Sequence, residues 1–374
     1  MNTTSTQIAD RQSSSPYVES RVLRTVRHPK LVHIAQVAPA ATFPTKFKIG
    51  HYRASGDGAA IPSPPPGPQW LRTPGAQEVW GGVVEDALLH ENRVYLDHEI
   101  GLNPNPHHPD GHHLNIDGYR QLLAAARPID QDAVILRGPR DNNFYHFMVE
   151  KLPKVLAAGR LAPVTSRTVF VSRSMPFHVQ SLRLVGIDGE RCAFVNPALP
   201  LRLRRATVID DFGIWWKPHP EVKLIAGALR SSPRVDHCRR LYLDRRAASK
   251  RRMVNQLDVA ARLAEFGFKA VVLEHLPLDE QIETVAQAEM IVAPHGAGLT
   301  HVMFARPGLK VLEIFPEGWS PQLFVRLASA CDLFGHWWTL TVPARHVGPN
   351  PFADCEYEVD IDALAEIVDA LLRA

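Results

Sequence analysis

Ala288-Glu289-Met290-Ile291-Val292-Ala293-Pro294-His295-Gly296-Ala297-Gly298-Leu299-Thr300-His301 is the stretch whose reading decides the fold. Met290 to Ala293 is a short apolar run that reads as a buried strand. Pro294 stops the ladder, and Gly296 and Gly298 bracket a turn. From Leu299 an apolar pattern resumes at helical spacing through Val302, Met303 and Phe304. Strand, glycine-rich turn and helix in that order aim free N–H groups and the positive end of a helix dipole at an anion. Glycine permits φ > 0 and lets a phosphate approach the backbone. A tight connection that simply needs small residues explains the turn equally well, so the decision comes from the flanking chain.

Leu241-Tyr242-Leu243, Lys269 to Leu273 and Lys310 to Pro316 read as further strands. Helical patterns separate them at Leu257 to Phe266, Asp279 to Ala288 and Pro321 to Cys331. Strands alternating with helices of this length imply a parallel sheet with crossover helices. Ligands of such sheets bind at the carboxyl ends of strands, where the Gly turn, Glu313 and the residues after Leu243 all fall. Directly after Leu243 comes Asp244-Arg245-Arg246-Ala247-Ala248-Ser249-Lys250-Arg251-Arg252-Met253-Val254-Asn255-Gln256. Arginine forks suit phosphate oxygens, and Asn255 is placed to cap the next helix. A solvated charge run is the plain alternative, weakened by the cluster's place at the ligand edge. A carboxylate at Glu313 suits a ribose diol or, equally, a structural Lys or Arg. No GxGxxG and no GxxxxGK[ST] turn occurs, which counts against a nicotinamide enzyme and a P-loop kinase. Ile361 to Leu372 reads as a final amphipathic helix.

In the first half, Ala133 to Arg137 reads as a strand, followed by the N-cap cluster Asp141-Asn142-Asn143 and a helix from Phe144 to Pro153. Phe144, Met148, Leu152 and Val155 form the core-facing stripe. His146 and Glu150, at i and i+4, share another face, and Pro153 is expected to kink the helix. A His–Glu pair of this kind either holds a general base in one tautomer or is a helix-surface ion pair. Thr168 to Ser172 and Arg205 to Ile209 read as strands with Gln180 to Val185 helical between them. The unit ends near Trp215-Trp216-Lys217-Pro218. Upstream, Arg93 to Leu96 is the clearest of several short strands, and Ile61 to Pro68 is an extended polyproline-like connector. His107-His108-Pro109-Asp110-Gly111-His112-His113 invites a metal, but Pro, Gly and the lack of i,i+4 geometry favour a structural or acceptor-side loop. The resulting division is a flexible segment 1–30, an α/β domain 31–217 and a second α/β domain 218–374, to which the family resemblance given below assigns the acceptor side and the nucleotide sugar in turn.

The 374 residues leave ample length for a core. Net charge is +3, from 42 basic and 39 acidic residues. That is too balanced for a chain that coats nucleic acid, and the single basic cluster lacks interleaved aromatics, so no nucleic-acid partner is expected. Four scattered cysteines without CxxC pairing read as reduced thiols. The polar first thirty residues lack a signal-peptide h-region, and no apolar run reaches membrane-spanning length. A cytoplasmic location follows, compatible with peripheral membrane contact.

Three blocks together resemble glycosyltransferase family 61, in its bacterial polysaccharide- and capsule-biosynthesis branch. The family also holds plant xylan-modifying and animal protein O-linked N-acetylglucosaminyl transferases. The first block is Asn143-Phe144-Tyr145-His146-Phe147 with Glu150 and Leu152-Pro153. The second runs from Leu241 through Asp244-Arg245-Arg246 and Arg251-Arg252 to Asn255. The third is His295-Gly296-Ala297-Gly298-Leu299 with Phe304, Pro307-Gly308 and Glu313-Ile314-Phe315-Pro316. The resemblance covers roughly 133–316. It departs at Asn255-Gln256, where the family usually has Asn-Glu, and at His301, where it more often has Asn.

The resemblance implies an α/β GT-B-like fold, two Rossmann-like domains with parallel sheets facing a cleft, and a C-terminal helix able to cross back. It implies an inverting transferase without an essential metal or resident cofactor. The donor would be a nucleotide sugar, a UDP-sugar first, and the acceptor a glycan or glycolipid. The catalytic candidates are His146 as base, Glu150 orienting it, and Asn143. The donor-binding candidates are Arg245, Arg246, Arg251, Asn255, His295, Gly296, Ala297, Gly298, Leu299 and Glu313. A non-catalytic sugar-nucleotide or glycan-binding protein on the same fold is the alternative.

Overall fold

The computed structural model describes residues 19–21, 28–42, 47–54, 60–63, 75–76, 78–98, 100–102, 115–213, 217–230, 239–246, 248–318, 321–350 and 353–373. The His107–His113 loop, most of the 1–30 segment, Pro64 to Pro68, Trp215-Trp216 and Cys238 lie outside them. Cys192, Cys331 and Cys355 are free thiols.

The decisive stretch folds as a strand, Met290–Pro294, buried along its whole length. It pairs in parallel with Arg240–Leu243 on one side and Leu309–Pro316 on the other. The complete sheet runs Lys269–Val271, Arg240–Leu243, Met290–Pro294, Leu309–Pro316, Gly335–Val342, Phe47–Ala54, Ala60–Ser63. All neighbours are parallel except the last hairpin. Near-continuous apolar runs such as Leu309–Pro316 fit strands covered on both faces. Counted from Arg240, the first five strands lie in the order 2-1-3-4-5. In that order the ligand crevice opens at the carboxyl ends of strands 1 and 3, Arg240–Leu243 and Met290–Pro294.

The sixth and seventh strands differ from the sequence division. Phe47–Ala54 and Ala60–Ser63 fall inside the stretch 31–217, yet Phe47–Ala54 pairs with Gly335–Val342. Nothing in a half-polar eight-residue strand says which sheet it will join. The C-terminal helix Ile361–Arg373, expected to be able to cross back, stays with the second sheet. Its Leu364, Ile367, Val368 and Leu371 pack with Val259 and Leu263 of the Gln256–Glu265 helix.

The other sheet is mixed. Arg127–Ile135, Val169–Ser172, Cys192–Phe194 and Leu201–Ile209 form its four-stranded parallel block, with Leu201–Ile209 beside Arg127–Ile135. Val79–His90 then pairs antiparallel with Leu201–Ile209 and leads into Arg93–Tyr95 and Ile100–Leu102. Here the connections reverse direction between Arg127–Ile135 and Leu201–Ile209, so another crevice, the first along the chain, lies beyond Ile135 and Ile209.

The helix after Ile135 is interrupted. Phe144–His146 is α-helical, Phe147–Lys151 forms a π-turn, and Pro153–Ala157 returns to α. Leu152 N–H donates to Phe147 O at 2.8 Å, an i→i−5 bond. Pro153 has no N–H to give, so the expected kink takes the form of one widened turn rather than a bend. The extra residue swings Glu150, Lys151 and Lys154 inward, and all three are buried. The core is continuous between the sheets, passing from Leu136, Phe147 and Met148 to Leu241, Ile291 and Val302. No described helix is long and apolar enough to cross a membrane.

Candidate active site

At the first crevice, Asn143 caps the helix. Its Oδ1 accepts from Tyr145 N–H at 3.0 Å and His146 N–H at 3.4 Å. The cap starts the helix so that His146 lies one turn before Glu150, and Nδ1 meets Glu150 Oε1 at 2.9 Å. The His146 side chain keeps 12% exposure and Glu150 only 3%. With Nδ1 held, Nε2 is the ring atom left for a substrate. Beneath the pair, Lys151 Nζ lies 3.7 Å from Glu150 Oε2 and also pairs with Asp211. Lys154 Nζ reaches the other Asp211 oxygen at 2.8 Å. Burial pushes the Asp211 carboxyl up, but the two ammonium groups outweigh it and leave the pKa below its usual value. Gly138 makes room for this network, because a Cβ there would sit 2.8 Å from Lys151 Nζ.

At the second crevice, Arg245 follows strand Arg240–Leu243 and lays its guanidinium over the Gly turn. Nη1 donates to His295 O at 2.5 Å, and the Arg245 N–H donates to Gln256 Oε1 at 2.8 Å. Among the described residues it has no carboxylate partner within ion-pair distance, and burial lowers its pKa. Its charge is therefore available for an anion. Gly296 is extended, with φ 168°, so positive φ is not its purpose. Its purpose is close approach, since a Cβ would collide with Cζ and Nε of Arg245. Gly296→Ala should displace the guanidinium and, for the diphosphate donor that the family resemblance implies, weaken affinity by roughly 10-fold or more, the value of a charge-assisted hydrogen bond. Isothermal titration of the variant reads this directly. Ala297–Phe304 is a 3₁₀ helix rather than the expected α-helix, closed by Leu299 N–H to Gly296 O at 2.9 Å.

The crevices meet across packed aromatics. Tyr145 contacts Phe324 edge-on with centroids 6.0 Å apart, and Phe324 lies 5.2 Å from His295. Phe144 stacks on His301 at 4.7 Å and 11°. Gln180 Oε1 accepts from Leu278 N–H at 2.9 Å across the same junction. Beside these contacts is a cavity of about 400 Å³, with Asn143, Phe144 and Phe177 on one side and Glu274, Gly298 and His301 on the other.

Several candidates hold the site without facing it. Glu313 does not fit the ribose role: it is 1% exposed, and both oxygens are taken. His295 Nδ1 lies 2.6 Å from Oε1, and the Trp337 indole N–H donates to Oε2 at 3.0 Å. Burial raises the Glu313 pKa well above the usual carboxylate range, and burial with Arg251 and Arg245 depresses that of His295. The pair is sealed from solvent and braces the turn, so His295 serves the site through its backbone carbonyl. Asn255 leaves its side chain uncommitted to the helix cap. Instead it clasps Val359, donating to its carbonyl at 2.8 Å and accepting from its N–H at 3.1 Å. Arg246 is tied back to Asp244 at 2.8 Å. Leu299 is buried core. Arg251 is half-buried beside Tyr357, with its N–H donating to Ala353 O at 2.8 Å. Asp211, Lys151, Lys154 and Gln256 are the supports that sequence reasoning missed; only the inward spacing of two lysines around Pro153 hinted at them.

Residues 144–312, which carry both crevices, match the family described as Glycosyltransferase 61. A β-1,2-xylosyltransferase, RCN11, from Oryza sativa subsp. japonica is 35% identical over 79 residues, 21% of this chain and 13% of that protein. The Arabidopsis thaliana β-1,2-xylosyltransferase is 28% identical over 99 residues, 26% of this chain and 17% of its own length. A protein O-linked-mannose β-1,4-N-acetylglucosaminyltransferase 2 from Danio rerio is 31% identical over 90 residues, 23% and 16% respectively. The matched stretch thus spans less than a fifth of each of these relatives. The shared chemistry of the family and the relatives is glycosyl transfer, which needs a sugar donor and a glycan acceptor. Coming from plants and a fish, they do not single out a bacterial branch.

Proposed function

We propose that this chain is an inverting glycosyltransferase that moves a sugar from a nucleotide donor, a UDP-sugar, to a hydroxyl of a glycan or glycolipid. In this reading the two α/β units form a GT-B-like pair, and their junction is the cleft. The observation that carries it is the Arg245 guanidinium on the Gly turn at one crevice, without a carboxylate partner among the described residues, with the His146–Glu150 pair at the adjoining one. The acceptor O–H gives its proton to His146 Nε2 while its oxygen attacks the anomeric carbon. The bond from that carbon to the diphosphate oxygen breaks on the opposite face, which inverts the centre. Glu150 steadies the imidazolium through Nδ1–H. Arg245, with Arg251 behind it, meets the charge that develops on the departing diphosphate. Fixed guanidinium charge can do there what a divalent cation does elsewhere, so the reaction is proposed to be metal-independent. A cytoplasmic site of action at the membrane face goes with a glycolipid acceptor.

The test is a thermal-shift series with UDP, GDP, CMP and ADP, with and without EDTA. One nucleotide should raise the melting temperature, unaffected by EDTA, and Arg245→Ala should remove most of the rise. A rise abolished by EDTA overturns metal independence. No rise with any nucleotide overturns the donor assignment.

A further inference from the structure

Behind His146 lie four buried ionisable side chains, Glu150, Lys151, Lys154 and Asp211. Asp211 has an ammonium of its own in Lys154, whose Nζ stands 2.8 Å from Oδ1. Lys151 reaches the other Asp211 oxygen. One carboxylate and one ammonium already balance, so a second buried ammonium is costly unless another anion answers it. Glu150 is that anion. Its Oε1 meets His146 Nδ1 at 2.9 Å, while its Oε2 is buried, makes no hydrogen bond and faces Lys151 Nζ at 3.7 Å. Sequence neighbours on a regular α-helix point about 100° apart. The π-turn Phe147–Lys151 is what brings both side chains into the core.

This charge balance bears on the base. A His–Glu pair in contact titrates as a unit. A buried carboxylate with no cation beside it draws a proton to the pair, onto either partner. A base that already holds a proton takes none from an acceptor hydroxyl. Resting on the glycosyl-transfer reading above, we infer that Lys151 is a positioning residue for the base: its ammonium holds Glu150 ionised and so keeps His146 Nε2 empty at neutral pH. The other groups facing this set are Asp210, close enough to act on Lys154, and Tyr145, on which Arg326 and Cys331 act from helix Leu323–Ala330 and its C-cap. Burial pushes the Tyr145 phenol well above its usual value and the Cys331 thiol up to about 12, so both stay neutral.

The pair's titration is read through the imidazole nitrogen shifts of His146 in the full chain carrying isotope-labelled histidine, assigned by the signal missing from His146→Ala. In Lys151→Met the midpoint should move up by about 1–3 pH units, the effect of losing an adjacent opposite charge. Lys154→Met is the comparison. It strips the same charge from the same core, but among the described residues Lys154 pairs with Asp211 and not with Glu150, so the midpoint should move far less. Turnover, followed as UDP release from a panel of UDP-hexoses and UDP-pentoses, should divide in the same way. Lys151→Met should lose kcat near neutral pH and regain it in alkaline buffer, whereas a merely structural lysine lowers kcat by one factor at every pH. If Lys151→Met does not fold, Lys151→Gln removes the same charge while still offering an N–H to Asp211. An unmoved midpoint in the folded variant, or equal movements in Lys151→Met and Lys154→Met, overturns the role of Lys151 and leaves the transfer reading standing. Full transfer in His146→Ala overturns the base assignment beneath it.

Discussion

His146→Ala is expected to cut sugar transfer by about 10²–10⁴-fold, the range over which a positioned general base acts. Affinity for the nucleoside diphosphate should change less than twofold, since in the proposed mode His146 lies at the first crevice and the phosphate groups at the second. A KM–kcat split makes the assignment testable: the loss belongs in kcat. Glu150→Gln should give a smaller loss of the same kind, because the amide still bonds Nδ1 at the observed 2.9 Å but no longer steadies positive charge on the ring. Full activity in His146→Ala would remove it as the base. Intact nucleotide binding with no transfer by the wild type to any glycan would favour a binding protein on this fold.

Asp211→Ala should destabilise the fold by about 3–5 kcal/mol, the cost of leaving buried charge unpaired. Two fully buried ammonium groups, Lys151 and Lys154, lose their counter-charge at once. Thermal denaturation should show the change as a fall of roughly 5 °C. The pH dependence has a definite sign. The folded-state pKa of Asp211 lies below its unfolded value of 3.8, so its contribution is complete above that value and fades as the pH falls below it. The variant should therefore lose most stability near neutrality and converge on the wild type in acid. Because Lys151 also faces Glu150 at 3.7 Å, a loss of activity larger than the melting shift explains would show that the network positions the base. A melting point within a degree or two of wild type would mean that the lysines are not charged in the core.

Local signals decided a good deal. The Met290–Pro294 strand and its turn were legible because an apolar run bounded by proline and glycines has few other uses. The same holds for the Asn143 cap, which satisfies helix N–H groups within three residues of itself. The 2-1-3-4-5 order was not legible, although strand–helix alternation already required a parallel sheet. Order depends on which strands bury which helices, a sum of contacts between residues tens of positions apart.

Glu313 and Glu274 show the limit most clearly. Both are carboxylates near the carboxyl ends of strands, and only the side-chain environment separates them. Glu313 meets a histidine and an indole from other segments and is sealed off, whereas Glu274 follows its strand into an open cavity. Asp211 was silent in the sequence because its partners lie sixty residues upstream and face it only after the π-turn rotates them inward. By itself, then, the sequence determined the α/β class, the Gly turn, the arginines that follow strand Arg240–Leu243 and the His–Glu pair, since each rests on contacts within about one helical turn or one strand. Tertiary structure alone decided that Phe47–Ala54 and Ala60–Ser63 complete the second sheet, that Glu313 braces rather than binds, and that His301 leaves one acceptor unpaired among the described residues. Those outcomes depend on long-range packing, whose free energy no single stretch of the chain contains.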